Sequence, residues 1–240
     1  MKGGDSMGLR IGVDEAGRGS LVGELFVVAF AMRDDDEKLL ADYGVRDSKR
    51  LSQSKRAELY AVLRKWPFTV SSIAPHEIDL YNINRLELDA MFKVLRVLAL
   101  RLGGEFTASR IVVDKFGDVD KELMKMLKRL SFTGTLVVEE GADDRYVEVS
   151  AASIIAKHLR DKRLQVLRSI YGVEGSGYPG DPRTLEWLEE TLKSGVKPPI
   201  IRYSWATLER FGLRVRKARL TFKTLDEYLD RGMRGEDGIR

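Results

Sequence analysis

Leu9, Ile11 and Val13 alternate with polar or small neighbours, and residues 25–32 form an unbroken apolar run. The first pattern predicts a half-buried strand, the second a strand buried on both faces, with a glycine-rich turn between them. Residues 52–65 read as a helix behind an N-capping serine, and 68–73 as another short strand. The longest helical pattern runs over 84–102 and stops at Gly103-Gly104. A strand over 110–113 ends at Asp114; a helix over 119–130, a strand over 135–138 and a long helix over 147–170 follow. Strands first and then alternating helix and strand predict an α/β protein, a mixed sheet flanked by helices.

Beyond Tyr171 the texture changes. A Gly/Pro-rich loop covers 172–182, a short helix follows, and Pro198-Pro199 interrupts the chain again. Residues 204–230 read as small helices carrying a basic patch of Arg210, Arg214, Arg216, Lys217 and Arg219, and 231–240 as a loose tail.

Composition narrows the chemistry. With no cysteine and two histidines in 240 residues, disulfides, thiol nucleophiles and zinc sites of the Cys/His type are excluded. Any metal must sit on oxygen ligands, which favours Mg²⁺ or Mn²⁺. A 32% charged fraction without cysteine suits a hot intracellular setting. No apolar run reaches the roughly 20 residues that a membrane span needs, and the first seven residues lack the apolar stretch of a signal peptide. The chain is therefore expected to be soluble and cytoplasmic. A net charge of +4 fits a polyanionic partner.

The acids carry the sharper signal. Asp14 and Glu15 follow the first apolar strand, Asp114 ends the strand Ile111-Val112-Val113, and Asp143 stands just beyond the strand over 135–138. In open α/β sheets chemistry gathers where strands end. Carboxylates brought together there repel one another unless cations intervene, and two divalent ions suit phosphodiester hydrolysis. Taken singly, an acid reads first as a solvated turn residue, and Asp143-Asp144 as plain turn chemistry, whereas the pair Asp14-Glu15 follows an apolar strand directly and leads into Gly17-Arg18-Gly19. Gly17-Arg18-Gly19 reads alone as an ordinary hairpin turn, or as a loop whose backbone N–H groups and Arg18 fork meet a phosphate. Ser150, Ser153, Lys157 and Arg160 fall on one arc of the last long helix, opposite Ala151, Ala152, Ile155, Ala156, Leu159 and Val166. That arc is either a solvated face or a phosphate-binding surface.

Together these blocks resemble the ribonuclease HII family, in its archaeal form. Gly12-Val13-Asp14-Glu15-Ala16-Gly17-Arg18-Gly19 is similar to the family's opening signature, and Asp47-Ser48-Lys49-Arg50-Leu51-Ser52 to its Asp-Ser-Lys-Lys-Leu-Ser element. Val112-Val113-Asp114 resembles the strand that carries the third acid. Ala142-Asp143-Asp144-Arg145-Tyr146 with Ser150 to Lys157 and Arg160-Asp161 resembles the last block, and Gly177-Tyr178-Pro179 the Gly-Tyr-Pro loop.

The resemblance implies a ribonuclease H-like domain over 8–182 and a helical C-terminal subdomain over 183–230. It implies that Asp14, Glu15, Asp114 and Asp143 hold Mg²⁺ or Mn²⁺. Cleavage would fall 5′ to ribonucleotides in RNA–DNA hybrids, and at single ribonucleotides in duplex DNA, leaving 3′-hydroxyl and 5′-phosphate. Gly17, Arg18 and Gly19 would grip the backbone around the ribose, Tyr178 would stack on the sugar, and Lys49, Ser153 and Lys157 would contact phosphates. A monomer is expected; no contact for a sliding clamp is readable in the sequence. Ser20 and Glu24 depart from the family's usual prolines, so altered loop rigidity is expected, and Glu140-Gly141 replaces its usual His-Lys. A binding module without catalysis, and a two-metal nuclease acting on DNA junctions, are the competing readings.

Overall fold

The computed structural model describes residues 8–45, 51–115 and 117–212. Among the described residues five strands form one sheet in the order β3-β2-β1-β4-β5. They are β1 (Leu9–Ala16), β2 (Leu25–Arg33), β3 (Phe68–Ile73), β4 (Arg110–Asp114) and β5 (Thr135–Glu139). β1 pairs antiparallel with β2, which pairs antiparallel with β3, whereas β1, β4 and β5 run parallel. This is the mixed sheet with flanking helices that the pattern predicts.

The two-residue period of the strands decides what each face touches. Ile11, Val13, Val27, Ala29, Ile111 and Val113 turn to one face, where α4 (Ile83–Leu102) and α6 (Asp120–Lys128) cover them with Leu88, Met91, Val94, Leu95, Leu123 and Leu127. Val28, Phe30 and Met32 turn to the other face, under α8 (Val147–Tyr171), α1 (Asp36–Asp42) and α2 (Gln53–Leu63). Gly12 shares that second face and explains how close α8 lies. A Cβ there would stand 2.1 Å from the Glu148 carbonyl carbon, so any side chain would push the helix off the sheet.

Ser52 accepts from Lys55 N at 3.2 Å and caps α2, as the sequence predicts. α4 starts one residue earlier than its pattern suggests, behind an Asn82 cap, and Gly103 ends it at φ +59°. The short helices α1, α3 (Pro75–Leu80), α5 (Gly104–Thr107) and α7 (Ala142–Arg145) carry too few turns to show a period. The expectation for α8 needs correction. Ser150 and Ser153 are buried, Val166 is 44% exposed, and the first half of the helix is buried all round. The small serines admit the protein's own chain: Ser150 Oγ donates to the Val45 carbonyl.

A third apolar cluster joins Leu21 and Val22, Leu164 and Leu167 of α8, Trp187 and Leu188 of α9 (Pro182–Lys193), and Ile200, Ile201 and Leu208. Of the small helices expected over 204–230, the described part is a 3-10 turn, Ala206–Phe211. Arg214, Arg216, Lys217, Arg219 and the tail lie outside the described residues, as does Lys49. No described helix is long and apolar enough to cross a membrane.

Candidate active site

The strand register brings the acids together. Asp14 lies one step beyond Val13 on β1, Asp114 one step beyond Val113 on β4, and those valines are partners in the parallel pair. By the period of the strands, both aspartates turn to the face that carries α7 and α8. Asp14 is 4% exposed. Burial, and then repulsion from Glu15 and Asp114, push its carboxyl well above the usual range, against a lowering by the neighbouring Ser153 hydroxyl and the Glu15 N–H. That N–H donates to Asp14 Oδ1 at 2.7 Å.

Glu15 is the next residue and therefore turns to the α4 side. Its carboxyl is pushed up to about 7 by burial first, then by Glu87 of α4 and by Asp114; Asp14 and Arg18 oppose the rise. Glu15 Oε2 is buried without a hydrogen-bond partner.

Asp143 enters through α7. Asp114 Oδ1 accepts from Ala142 N at 2.8 Å, which fastens the start of that helix to the end of β4. Asp143 is buried at 4% exposure, whereas Asp144 faces outward. Lys157 Nζ approaches Asp143 Oδ2 at 3.9 Å.

A cleft of about 380 Å³ opens beside Glu15 and is lined by Gly17, Arg18, Gly19, Arg56, Lys157, Arg160, Asp161 and Tyr178. Gly17 adopts φ +96°, a backbone that disfavours any side chain. A Cβ on Gly19 would meet the Tyr178 ring at 3.9 Å, and the Arg160 guanidinium lies 4.3 Å from that ring's centre. Arg160 also donates to Ser20 Oγ at 3.2 Å and to the Ser176 carbonyl at 2.6 Å, tying the glycine turn to the Tyr178 loop. A larger hollow of about 410 Å³, between β3 and α4, is lined by no residue of the acidic cluster.

Two placements differ from the sequence reading. Ser153 is fully buried beside Asp14 and offers no surface to a phosphate. The Arg18 guanidinium is engaged by α4: Nη1 donates to Glu87 and Nη2 to Asn84 Oδ1 at 2.6 Å.

The sequence reading missed Glu87, Arg202 and Trp205. Arg202 is fully buried and donates to the Gly23 carbonyl at 2.9 and 3.0 Å and to the Arg18 carbonyl at 2.9 Å. Trp205 Nε1 donates to the Ser20 carbonyl at 2.7 Å. The available signal was a glutamate on the inward stripe of α4, among Leu88, Met91 and Val94. Ser20 takes over the rigidity that proline would supply: its one hydroxyl proton is shared between the Val22 and Gly177 carbonyls, 2.8 and 2.9 Å from Oγ, while Glu24 pairs with Arg163.

Among the described residues, no three acids or histidines already surround a single point as a finished metal cage. The donor set still fits a hard divalent cation. Oxygen ligands meet at adjoining chain segments, the Asp14 and Glu15 carboxyls are raised by burial first and then by neighbouring acids, and Glu15 Oε2 is buried without a partner.

The family model described as Ribonuclease HII matches residues 11–208. A ribonuclease HII of Aeropyrum pernix is 48% identical over 227 residues, 93% of this chain and 99% of that protein. The crystal structure of ribonuclease H2 from Pyrococcus horikoshii superposes with a TM-score of 0.72 at 35% identity, covering 84% of this chain and 96% of the other. Ribonuclease HII of Archaeoglobus fulgidus, solved as a complex with PCNA, superposes with a TM-score of 0.70 at 34% identity over 91% of this chain and 99% of its own. This chain belongs to the ribonuclease HII family.

Proposed function

We propose that the chain is an endonuclease that hydrolyses the phosphodiester 5′ to a ribonucleotide, in RNA–DNA hybrids and at single ribonucleotides in duplex DNA. The products would be a 3′-hydroxyl and a 5′-phosphate. The observation that carries this reading is the buried Asp14 carboxyl, raised by burial and by repulsion from Glu15 and from the half-buried Asp114 on the neighbouring parallel strand, with Glu15 adjoining a cleft that the glycine turn and Tyr178 line.

In this reading Asp14, Glu15, Asp114 and Asp143 hold Mg²⁺ or Mn²⁺, and the inward turn of Asp143 favours it over Asp144. Two such ions would supply Lewis-acid charge on the scissile phosphate and lower the pKa of water. The protein's own part is positional. Gly17, Arg18 and Gly19 present backbone close to the ribose, whose 2′-hydroxyl separates RNA from DNA. Tyr178, braced by Arg160, gives the sugar a flat surface to stack on. Lys157, at the cleft and 3.9 Å from Asp143, is suited to a phosphate contact; Lys49 would provide another. Residues 8–182 would form the catalytic body of a monomer, and 183–230 an arm on the duplex beyond the cut.

The test is a nicking assay on DNA duplex carrying one ribonucleotide. Purified protein is expected to cut it 5′ to the ribonucleotide with Mg²⁺ or Mn²⁺, to stop in EDTA, and to spare an all-DNA duplex. Cutting of the all-DNA duplex at a similar rate would overturn the substrate assignment.

A further inference from the structure

Glu87 is an exception on its helix. The other inward positions of α4 are filled by Leu88, Ala90, Met91, Val94, Leu95 and Leu98. Glu87 is fully enclosed, and its Oε1 is buried without a hydrogen-bond partner. A buried carboxylate carries a desolvation cost that its partners must offset, and an apolar residue of similar size would pack at lower cost. Packing of α4 on the sheet therefore does not explain this residue.

Its partner does. Glu87 accepts from Arg18 Nη1, and Asn84, three residues earlier on the same helical face, accepts from Arg18 Nη2 at 2.6 Å. At the main-chain end, the Arg18 carbonyl accepts from Arg202 Nη1 at 2.9 Å. Arg18 is thus held at both ends, by α4 through its side chain and by the C-terminal segment through its carbonyl. Its neighbours Gly17 and Gly19 have wide conformational freedom and would otherwise leave the turn ill-defined.

We infer that Glu87, assisted by Asn84, is a positioning residue for ribonucleotide recognition: it anchors the Arg18 guanidinium as a strut, so that the Gly17–Gly19 backbone is set for the ribose. Arg18 then serves through its main chain, and its guanidinium makes no phosphate contact. The inference rests on the reading of the glycine turn as the ribose site.

The experiment compares Glu87→Gln, Arg18→Gln, Arg18→Lys and the double variant Glu87→Gln/Arg18→Gln. Each is assayed for nicking of the single-ribonucleotide duplex and for binding to it across a range of salt. A strut displaced by about an ångström should lower kcat on the order of tenfold to a hundredfold. The double variant should lose no more than the worse single one, because both break one contact. Arg18→Lys should fall as far as Arg18→Gln, since an ammonium cannot span Glu87 and Asn84 as the planar fork does. The salt dependence of binding should match wild type in every variant.

A lost phosphate contact would instead reduce the salt slope by about 1. That result for Arg18→Gln, near-complete rescue by Arg18→Lys, or losses that multiply in the double variant would overturn the inference. Should Glu87→Gln not fold, the two Arg18 variants still decide through salt slope and lysine rescue. If wild-type enzyme leaves the ribonucleotide duplex uncut, the substrate reading falls, and the salt slopes of binding still decide whether Arg18 meets phosphate.

Discussion

β1 buries acid beside its two ends in opposite ways. Near its start Arg10 meets Glu148 of α8, which is fully enclosed: Nε donates to Oε1 at 3.1 Å, Nη2 to Oε2 at 2.6 Å, and Nη1 to Glu37 at 2.6 Å. The acids there, Glu148, Glu37 and at 3.9 Å Asp34, all face the one guanidinium. Four residues along, Asp14 is met by Glu15 and Asp114, and burial and repulsion push its carboxyl up. One strand thus carries a closed ion pair that fastens helix to sheet, and an acidic cluster that makes sense as the seat of hard cations. A buried acid is architectural where its counter-charge comes from the chain, and chemical where it has to be supplied from outside.

The contrast is sharpest in substitution. Asp14→Asn should reduce nicking by roughly a thousandfold or more, in line with loss of a central electrostatic group. Its melting temperature should hold or rise, because a repelling charge is gone. Arg10→Met should do the reverse. Stranding the Glu148 charge should cost about 3–5 kcal/mol in denaturant titrations, while kcat of the folded fraction stays near wild type. Arg10→Met/Glu148→Leu should recover much of that stability. A stable but inactive Arg10→Met would erase the distinction between the two ends.

The acidic end should also set a pH dependence that the paired end lacks. Glu15 and Glu87 are both raised, by burial first, from the ordinary glutamate range to about 7. The folded protein therefore binds more protons than the unfolded chain between about pH 4.5 and about 7, and linkage makes stability fall as pH rises through that window. Thermal melts in EDTA should show the decline, and saturating Mg²⁺ should flatten it by offsetting the charge on the cluster. A melting temperature that rises from pH 5 to 7 in EDTA would contradict the assigned proton balance. The smallest effect is expected at Ser20. Ser20→Ala should cost about 1 kcal/mol in denaturant titrations for the hydroxyl bond that the Val22 and Gly177 carbonyls share, and should raise KM.

Much of this was legible in the residues because the signals were local. The apolar alternation at Leu9, Ile11 and Val13 fixes which face β1 presents, and so turns Asp14 to α8 and Glu15 to α4. The Ser52 cap and the close at Gly103 mark helix ends in the same local way. What escaped depends on long-range contact. Arg202 reaches the Arg18 carbonyl across 184 positions, and no period announces it. Ser150 and Ser153 share one arc on a helical wheel, yet Gly12 lets α8 sink so far onto the sheet that the serines face protein. Glu87 stood in view as a charge on an apolar stripe, and its meaning required the position of Arg18.

The central claim is that the carboxylates at the ends of β1 and β4 jointly hold divalent cations. Calorimetric titration of Mn²⁺ into wild type, Asp14→Asn and Asp114→Asn tests it most directly. Saturable binding by wild type, released by EDTA and lost in both variants despite intact folding, is the predicted result. Undiminished Mn²⁺ binding by both folded variants would place the cations elsewhere and contradict the account.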